Sequence, residues 1–143
     1  MTTIRQILAR KPDVFAIDPD ATVLDALKLL EQRNVGALLV MKGDRLVGIF
    51  SERDYARRML LHGRSSRETA VREVMTAEVF TIAPDATAGE CMAYMTDRHI
   101  RHLPVLEGGK VAGVISIGDI VRAVMEDMRF TIRQLETYIR SGG

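Results

Sequence analysis

The chain has one cysteine, no tryptophan and no apolar run long enough to cross a bilayer. Cys91 alone cannot close an internal disulfide, and beside three scattered histidines it offers no zinc spacing. The start, Met1-Thr2-Thr3-Ile4-Arg5, has no apolar signal core, and the Ala37–Met41 run falls far short of the ~20 residues a membrane helix needs. A soluble protein of the reduced cytoplasm is expected. Charge of one sign is also missing, because 20 Lys and Arg face 19 Asp and Glu, whereas nucleic-acid binders carry a strong basic excess. With 4 Phe and 3 Tyr there is little to stack on bases. No nucleic acid, membrane or metal is therefore expected as a partner. A hydrophobic content of 47% with 27% charged residues excludes extended disorder.

What the chain does have is itself, twice. Residues 14–59 align on residues 79–124 at a constant offset of 65 without a gap, and 15 of the 46 positions are identical. The identities include Pro19/Pro84, Asp20/Asp85, Thr22/Thr87, Gly48/Gly113, Ser51/Ser116 and Asp54/Asp119. A lead-in repeats as well: Ile4-Arg5-Gln6-Ile7-Leu8 resembles Val71-Arg72-Glu73-Val74-Met75. A fixed period means one supersecondary unit used again. Each copy alone is close to the smallest size that sustains a core, so the copies are expected to pack together.

Within copy A, Val14–Ile17 reads as a short strand stopped by Asp18-Pro19-Asp20. Thr22-Val23-Leu24-Asp25 is a helix-capping pattern, and Val23, Ala26, Leu27 and Leu30 form one helical stripe. Copy B matches with Thr87–Glu90 as cap and Cys91, Met92 and Met95 toward the core, which makes Cys91 a small buried hydrophobe. These helices are expected to stop near Asn34-Val35-Gly36 and His99-Ile100-Arg101. Two apolar runs around Lys42–Arg45, or around Glu107–Lys110, read as a hairpin, and a second helix starts at Ser51 or Ser116. The expected fold class is α+β: two β-α-β-β-α repeats, at residues 4–63 and 71–127, joined by a linker at 64–70. Residues 128–143 extend the last helix. From Asp119 to about Arg140 that helix would run about 33 Å, past its own repeat, and its stripe of Val121, Val124, Met128, Ile132, Leu135 and Ile139 is expected to meet a second copy in a homodimer.

Both second helices open with Gly-x-x-Ser-x-x-Asp: Gly48–Asp54 and Gly113–Asp119. The pattern has two readings. Ser-x-x-Asp is a capping box in its own right. The same geometry can hold a nucleotide, because a helix N-terminus attracts phosphate and an ionised carboxylate accepts from both hydroxyls of a ribose. Glycine ahead of the Ser would leave room for a flat base.

The whole arrangement resembles a tandem pair of CBS domains, the Bateman module. The resemblance rests on Val71–Thr76, Thr81–Thr87, Arg101-His102-Leu103-Pro104-Val105 and the two Gly-x-x-Ser-x-x-Asp endings. It implies repeats packed about a pseudo-twofold axis, with clefts that bind AMP, ADP, ATP or NAD. By this resemblance Asp54 and Asp119 match the ribose carboxylate, and Ser51 and Ser116 the adjacent hydroxyl. Ile49, Val114, Val35 and Ile100 match apolar walls around the base. Thr81 matches a polar contact in the first strand, where copy A has Ala16. Arg101 and His102 match a basic pair that reaches across to the phosphate of the other repeat's nucleotide, and copy A has Gly36 and Ala37 there. Arg53 is a further candidate phosphate ligand, and the cleft with Asp54, where Arg53, Arg101 and His102 are expected to converge, is expected to be the better phosphate site.

No phosphate loop, dinucleotide glycine motif or nucleophile–base pair is present, so neither an enzyme nor a catalytic cofactor is expected. The leading expectation is a regulatory module that senses an adenosine nucleotide and passes a shape change to a partner protein. The alternative is a structural or oligomerisation module whose Ser-x-x-Asp patterns are only caps.

Overall fold

In the computed structural model, which describes residues 1–11 and 13–142, helices start where the sequence offers a hydroxyl. Thr3, Thr22, Ser51, Thr87 and Ser116 each accept a first-turn backbone N–H through the side-chain oxygen. They cap α1 (Ile4–Leu8), α2 (Val23–Arg33), α3 (Glu52–Arg58), α4 (Ala88–Arg98) and α5 (Ile117–Arg140). Asn34 and His99 end α2 and α4 in the left-handed conformation, at φ of 52° and 54°. α3 ends at Arg58, and a 3-10 turn at Leu60–His62 follows, closed by Gly63.

Strands β1 (Ala16–Ile17), β2 (Ala37–Lys42) and β3 (Arg45–Ser51) form a mixed sheet in that order. β1 runs parallel to β2 with Ala16 opposite Leu39, and β3 antiparallel with Leu38 opposite Phe50. The hairpin turns at Gly43, whose φ is +60°. In the second repeat β4 (His102–Glu107) pairs with β5 (Lys110–Ser116), but the first strand shrinks to one parallel bridge, Ile82 to Val105. Proline explains the difference. Leu39 donates its N–H to the first strand of copy A, whereas Pro104 stands at the matching place and has no N–H to give.

The chain forms two compact units that do not follow sequence order: residues 1–11, 81–107 and 112–142 in one, 13–80 and 108–111 in the other. In the first unit, Ile4 and Ile7 of α1 are buried with Cys91 and Met95 of α4, Leu103, Ile115 and Ile120. In the second, Val71 and Val74 are buried with Val23, Ala26, Leu30, Val40 and Phe50. Each lead-in thus completes the core of the repeat that it does not precede in sequence.

Backbone bonds fix the exchange. Thr2 accepts the Ala88 N–H at 2.8 Å, and Thr69 and Ser66 accept those of Val23 and Leu24 at 2.9 Å each. These are first-turn donors that a helix cannot satisfy internally. Residues expected to be a mere linker therefore cap α2.

Asp127 accepts from the Thr2 N–H at 2.9 Å and the Thr2 hydroxyl at 2.7 Å, and beyond it α5 runs past the buried core. Met128, Ile132, Leu135 and Ile139 are all more than half exposed. Val124, expected on the outer stripe, is instead half-buried against its own core, and Met125 takes the exposed place.

Candidate functional site

A strand turning into a helix builds the same corner in both units. In the first repeat, Ser51 caps α3 and Asp54 sits in its opening turn with only 9% of its surface exposed. The capping box is complete: Asp54 N–H donates to Ser51 Oγ at 3.1 Å, and Ser51 N–H to Asp54 Oδ2 at 2.9 Å. Ser51 Oγ also donates to Oδ2 at 3.1 Å, and Thr76 Oγ1 donates to Oδ1 at 3.1 Å. Arg58 lies at the edge of ion-pairing reach, 4.0 Å, and gives N–H groups to the Val74 and Met75 carbonyls. Asp54 is thus held by a peptide N–H and two neutral hydroxyls.

The second corner differs where it matters. Ser116 N–H donates to Asp119 Oδ2 at 2.9 Å and Asp119 N–H to Ser116 Oγ at 3.2 Å, as in the first. Lys11 Nζ then donates to Asp119 Oδ2 at 2.7 Å and to the Val114 carbonyl at 2.9 Å. Arg122 donates to Oδ1 at 2.8 Å. Burial acts to raise the Asp119 pKa, but the bonds from Lys11 and Ser116 outweigh it and hold the carboxyl below its ordinary value. A cavity of about 250 Å³ opens beside it, lined by Arg10, Lys11, Arg122 and Glu126 among others.

The other expected residues fall into place by unit. Ile49 lies on β3 and pairs with Thr76 through two backbone bonds of 3.0 and 2.9 Å. Val35, half-buried, lines a groove of about 480 Å³ with Leu27, Leu30, Gly36, Glu52 and Tyr55. Asp54 does not line that groove. Arg53 is exposed on α3.

In the unit of Asp119, Val114 and Ile100 are half-buried and Thr81 precedes the single bridge of Ile82. Arg101 is exposed, and its carbonyl accepts the Ile117 N–H at 2.8 Å, tying the strand start to α5. Burial and the Lys11 charge push the His102 imidazole down; Asp119 opposes them and Arg101 adds to them. Arg101 and His102 thus share the unit of Asp119, and Arg53 that of Asp54.

One reading of individual residues is corrected. Glycine at 48 and 113 does not serve to admit a base. A Cβ at Gly48 would stand 2.5 Å from Met75 Sδ and 2.9 Å from the Thr76 carbonyl, and one at Gly113 2.6 Å from Leu8. The space belongs to the lead-ins. Arg122, three residues on from Asp119 in α5, bonds it directly. Lys11 carried no motif, because at the lead-in offset of 67 it faces Glu78 and leaves no repeat signal. Cys91 is fully buried and its thiol is pushed up to about 11, so it is no nucleophile.

The sequence profile of the CBS domain matches residues 4–61 and again residues 71–126. The chain belongs to the CBS-domain family. It is 44% identical over 128 residues to the Arabidopsis thaliana protein named CBS domain-containing protein CBSX3, mitochondrial, covering 86% of this chain and 62% of that one. A putative signal-transduction protein with CBS domains from Burkholderia ambifaria superposes with a TM-score of 0.85 at 48% identity, covering 88% of this chain and 96% of that one. The CBS domain pair of protein MJ0100, solved with methylthioadenosine and S-adenosyl-L-methionine, gives 0.78 at 26% identity, covering 89% and 98%. CBS-pair proteins of this kind are regulatory modules, and some hold adenosine-containing ligands. Among the described residues no helix is long and apolar enough to cross a membrane.

Proposed function

We propose that this CBS pair is a cytoplasmic, non-catalytic sensor that binds an adenosine nucleotide (AMP, ADP, ATP or NAD) reversibly and relays the change in shape to a partner protein. One observation carries the reading: a carboxylate in the first turn of a helix, nine-tenths buried, hydrogen-bonded by a peptide N–H and two neutral hydroxyls with Arg58 at 4.0 Å, at Asp54. Ribose hydroxyls can replace such donors with equivalent bonds. Ser51 supplies a hydroxyl beside it, and Ile49 and Val35 supply apolar surface for the base. In the unit of Asp119 the corresponding set is Asp119, Ser116, Val114, Ile100 and Thr81, and Arg53, Arg101 and His102 are the candidate phosphate ligands. The ligands held by the MJ0100 pair both carry an adenosyl group, which is the portion this set addresses.

Ligand affinity that differs between two arrangements of the module is what would drive a response. We infer further that the working form is a homodimer joined through the exposed outer stripe of α5. The competing reading, a structural module, draws on the completeness of both capping boxes, which need no ligand. Thermal unfolding with AMP, ATP and NAD separates the two. A ligand that binds only the native state stabilises it by about 2.7 kcal/mol at one hundred times its Kd. A shift lost in Asp54→Ala supports the sensor, and no shift with any of the three supports the structural module.

A further inference from the structure

The two carboxylates that the proposed function pairs are not equally free to receive a sugar, and the difference lies in one residue of the amino-terminal lead-in. We infer that Lys11 is a built-in occupant of the second site: its ammonium holds Asp119 where a ribose would otherwise bind, so that each chain takes one nucleotide, at Asp54. The inference rests on the adenosine-nucleotide reading above and assigns its stoichiometry and the residue that sets it.

Lys11 Nζ makes two bonds, 2.7 Å to Asp119 Oδ2 and 2.9 Å to the Val114 carbonyl. Both groups belong to the residues matched with ribose and base recognition, so one ammonium covers both. The pair is sheltered, with side-chain exposures of 33% for Lys11 and 10% for Asp119. Arg122 closes the other oxygen at 2.8 Å. A sugar hydroxyl entering here would have to displace a charge-assisted bond, roughly twice as strong as a neutral one, and leave an ammonium unpaired.

At Asp54 the corresponding oxygen, Oδ2, is met by Ser51 Oγ at 3.1 Å and Oδ1 by Thr76 Oγ1 at 3.1 Å, neutral donors that ribose hydroxyls replace like for like. Arg58 stands off at 4.0 Å and donates instead to the Val74 and Met75 carbonyls. The sequence carries the same asymmetry, with Lys11 facing Glu78 at the lead-in offset.

The test is calorimetric titration of the full chain with AMP and, separately, with ATP. Wild type is expected to bind one equivalent per chain, and Lys11→Met two, the second arising at the freed Asp119. In Asp54→Asn the wild-type event disappears, and in the Lys11→Met/Asp54→Asn double variant only the new event remains. Two equivalents in wild type overturn the inference and leave the adenylate reading standing. So does a Lys11→Met protein that stays at one equivalent or binds more weakly, which would make Lys11 a ligand contact. Should Lys11→Met fail to fold, Asp54→Asn decides: any remaining heat with AMP or ATP overturns the single-site assignment. No heat in wild type with AMP or ATP, nor with ADP or NAD, removes the function reading and this inference together.

Discussion

The Thr76 hydroxyl donates to Asp54 Oδ1 across 3.1 Å, joining the end of the second lead-in to the carboxylate of the first repeat. Removing that donor leaves one acceptor of a nearly buried carboxylate without its partner. Thr76→Val is expected to cost about 1 kcal/mol, the usual net worth of such a bond, measured by urea unfolding. It also frees Oδ1 for a ligand hydroxyl, so the loss is expected to narrow when AMP is present. An unchanged unfolding midpoint would show that the bond contributes nothing.

The exchanged lead-ins predict where truncation is felt. Without residues 1–11, the unit built on α4 and α5 loses Ile4 and Ile7 from its core, and α4 loses the Thr2 carbonyl that caps it. Amide exchange is expected to accelerate over Ala88–Met95 while Val23–Leu30 stays protected, although the deleted residues adjoin the first repeat in sequence. Ile4→Ala alone is expected to cost about 2–5 kcal/mol as a core truncation.

Alanine at the two glycines ranks two close contacts. At Gly113 the new methyl meets only the end of the Leu8 side chain, which can rotate away. At Gly48 it meets Met75 Sδ and also the Thr76 carbonyl, which is held in a backbone pair with Ile49. Overpacking of this kind costs roughly 1–3 kcal/mol, and Gly48→Ala is expected at the upper end with Gly113→Ala below it. The two denaturation midpoints check the order.

His102 predicts a pH dependence. Its folded pKa is depressed by burial and by Lys11 and Arg101, against Asp119. The unfolded chain, with a His pKa of about 6.5, therefore takes up protons first as pH falls. Stability declines from about pH 6.5 down to the folded value, and that portion is absent in His102→Gln. Unfolding free energies at pH 7.5 and 5.5 for the two proteins test this, with Lys11→Met expected to raise the His102 pKa by removing a neighbouring charge.

The outer stripe of α5 predicts an assembly. Val121, Met125, Met128, Ile132, Leu135 and Ile139 follow each other by alternating steps of four and three residues, the spacing of a two-helix seam, and all are exposed. Light scattering is expected to give a dimer for the full chain and a monomer for Leu135→Glu/Ile139→Glu. A monomeric wild type would remove the dimer from the account.

Much of the fold was legible because its signals are local. Caps at Thr22, Ser51, Thr87 and Ser116 and the apolar stripes of α2 and α4 depend on neighbours three or four residues away, and they stand where the pattern puts them. Partnership between distant segments was not legible. Both lead-ins carry one apolar pattern, so nothing in their composition says that Ile4 joins Cys91 or that Val71 joins Val23. The shortened first strand of the second repeat was readable in principle, since Pro104 lacks a donor, but only once the register of Leu39 was known. Lys11 was beyond pattern reading because its role arises from a contact with Asp119 that spans 108 residues of chain.

The most direct measurement follows backbone amide resonances as AMP is added to the full chain. The account predicts saturable shifts at Ile49, Ser51 and Asp54, abolished in Asp54→Asn. Saturation without movement at these three amides, or shifts that persist in Asp54→Asn, would contradict it.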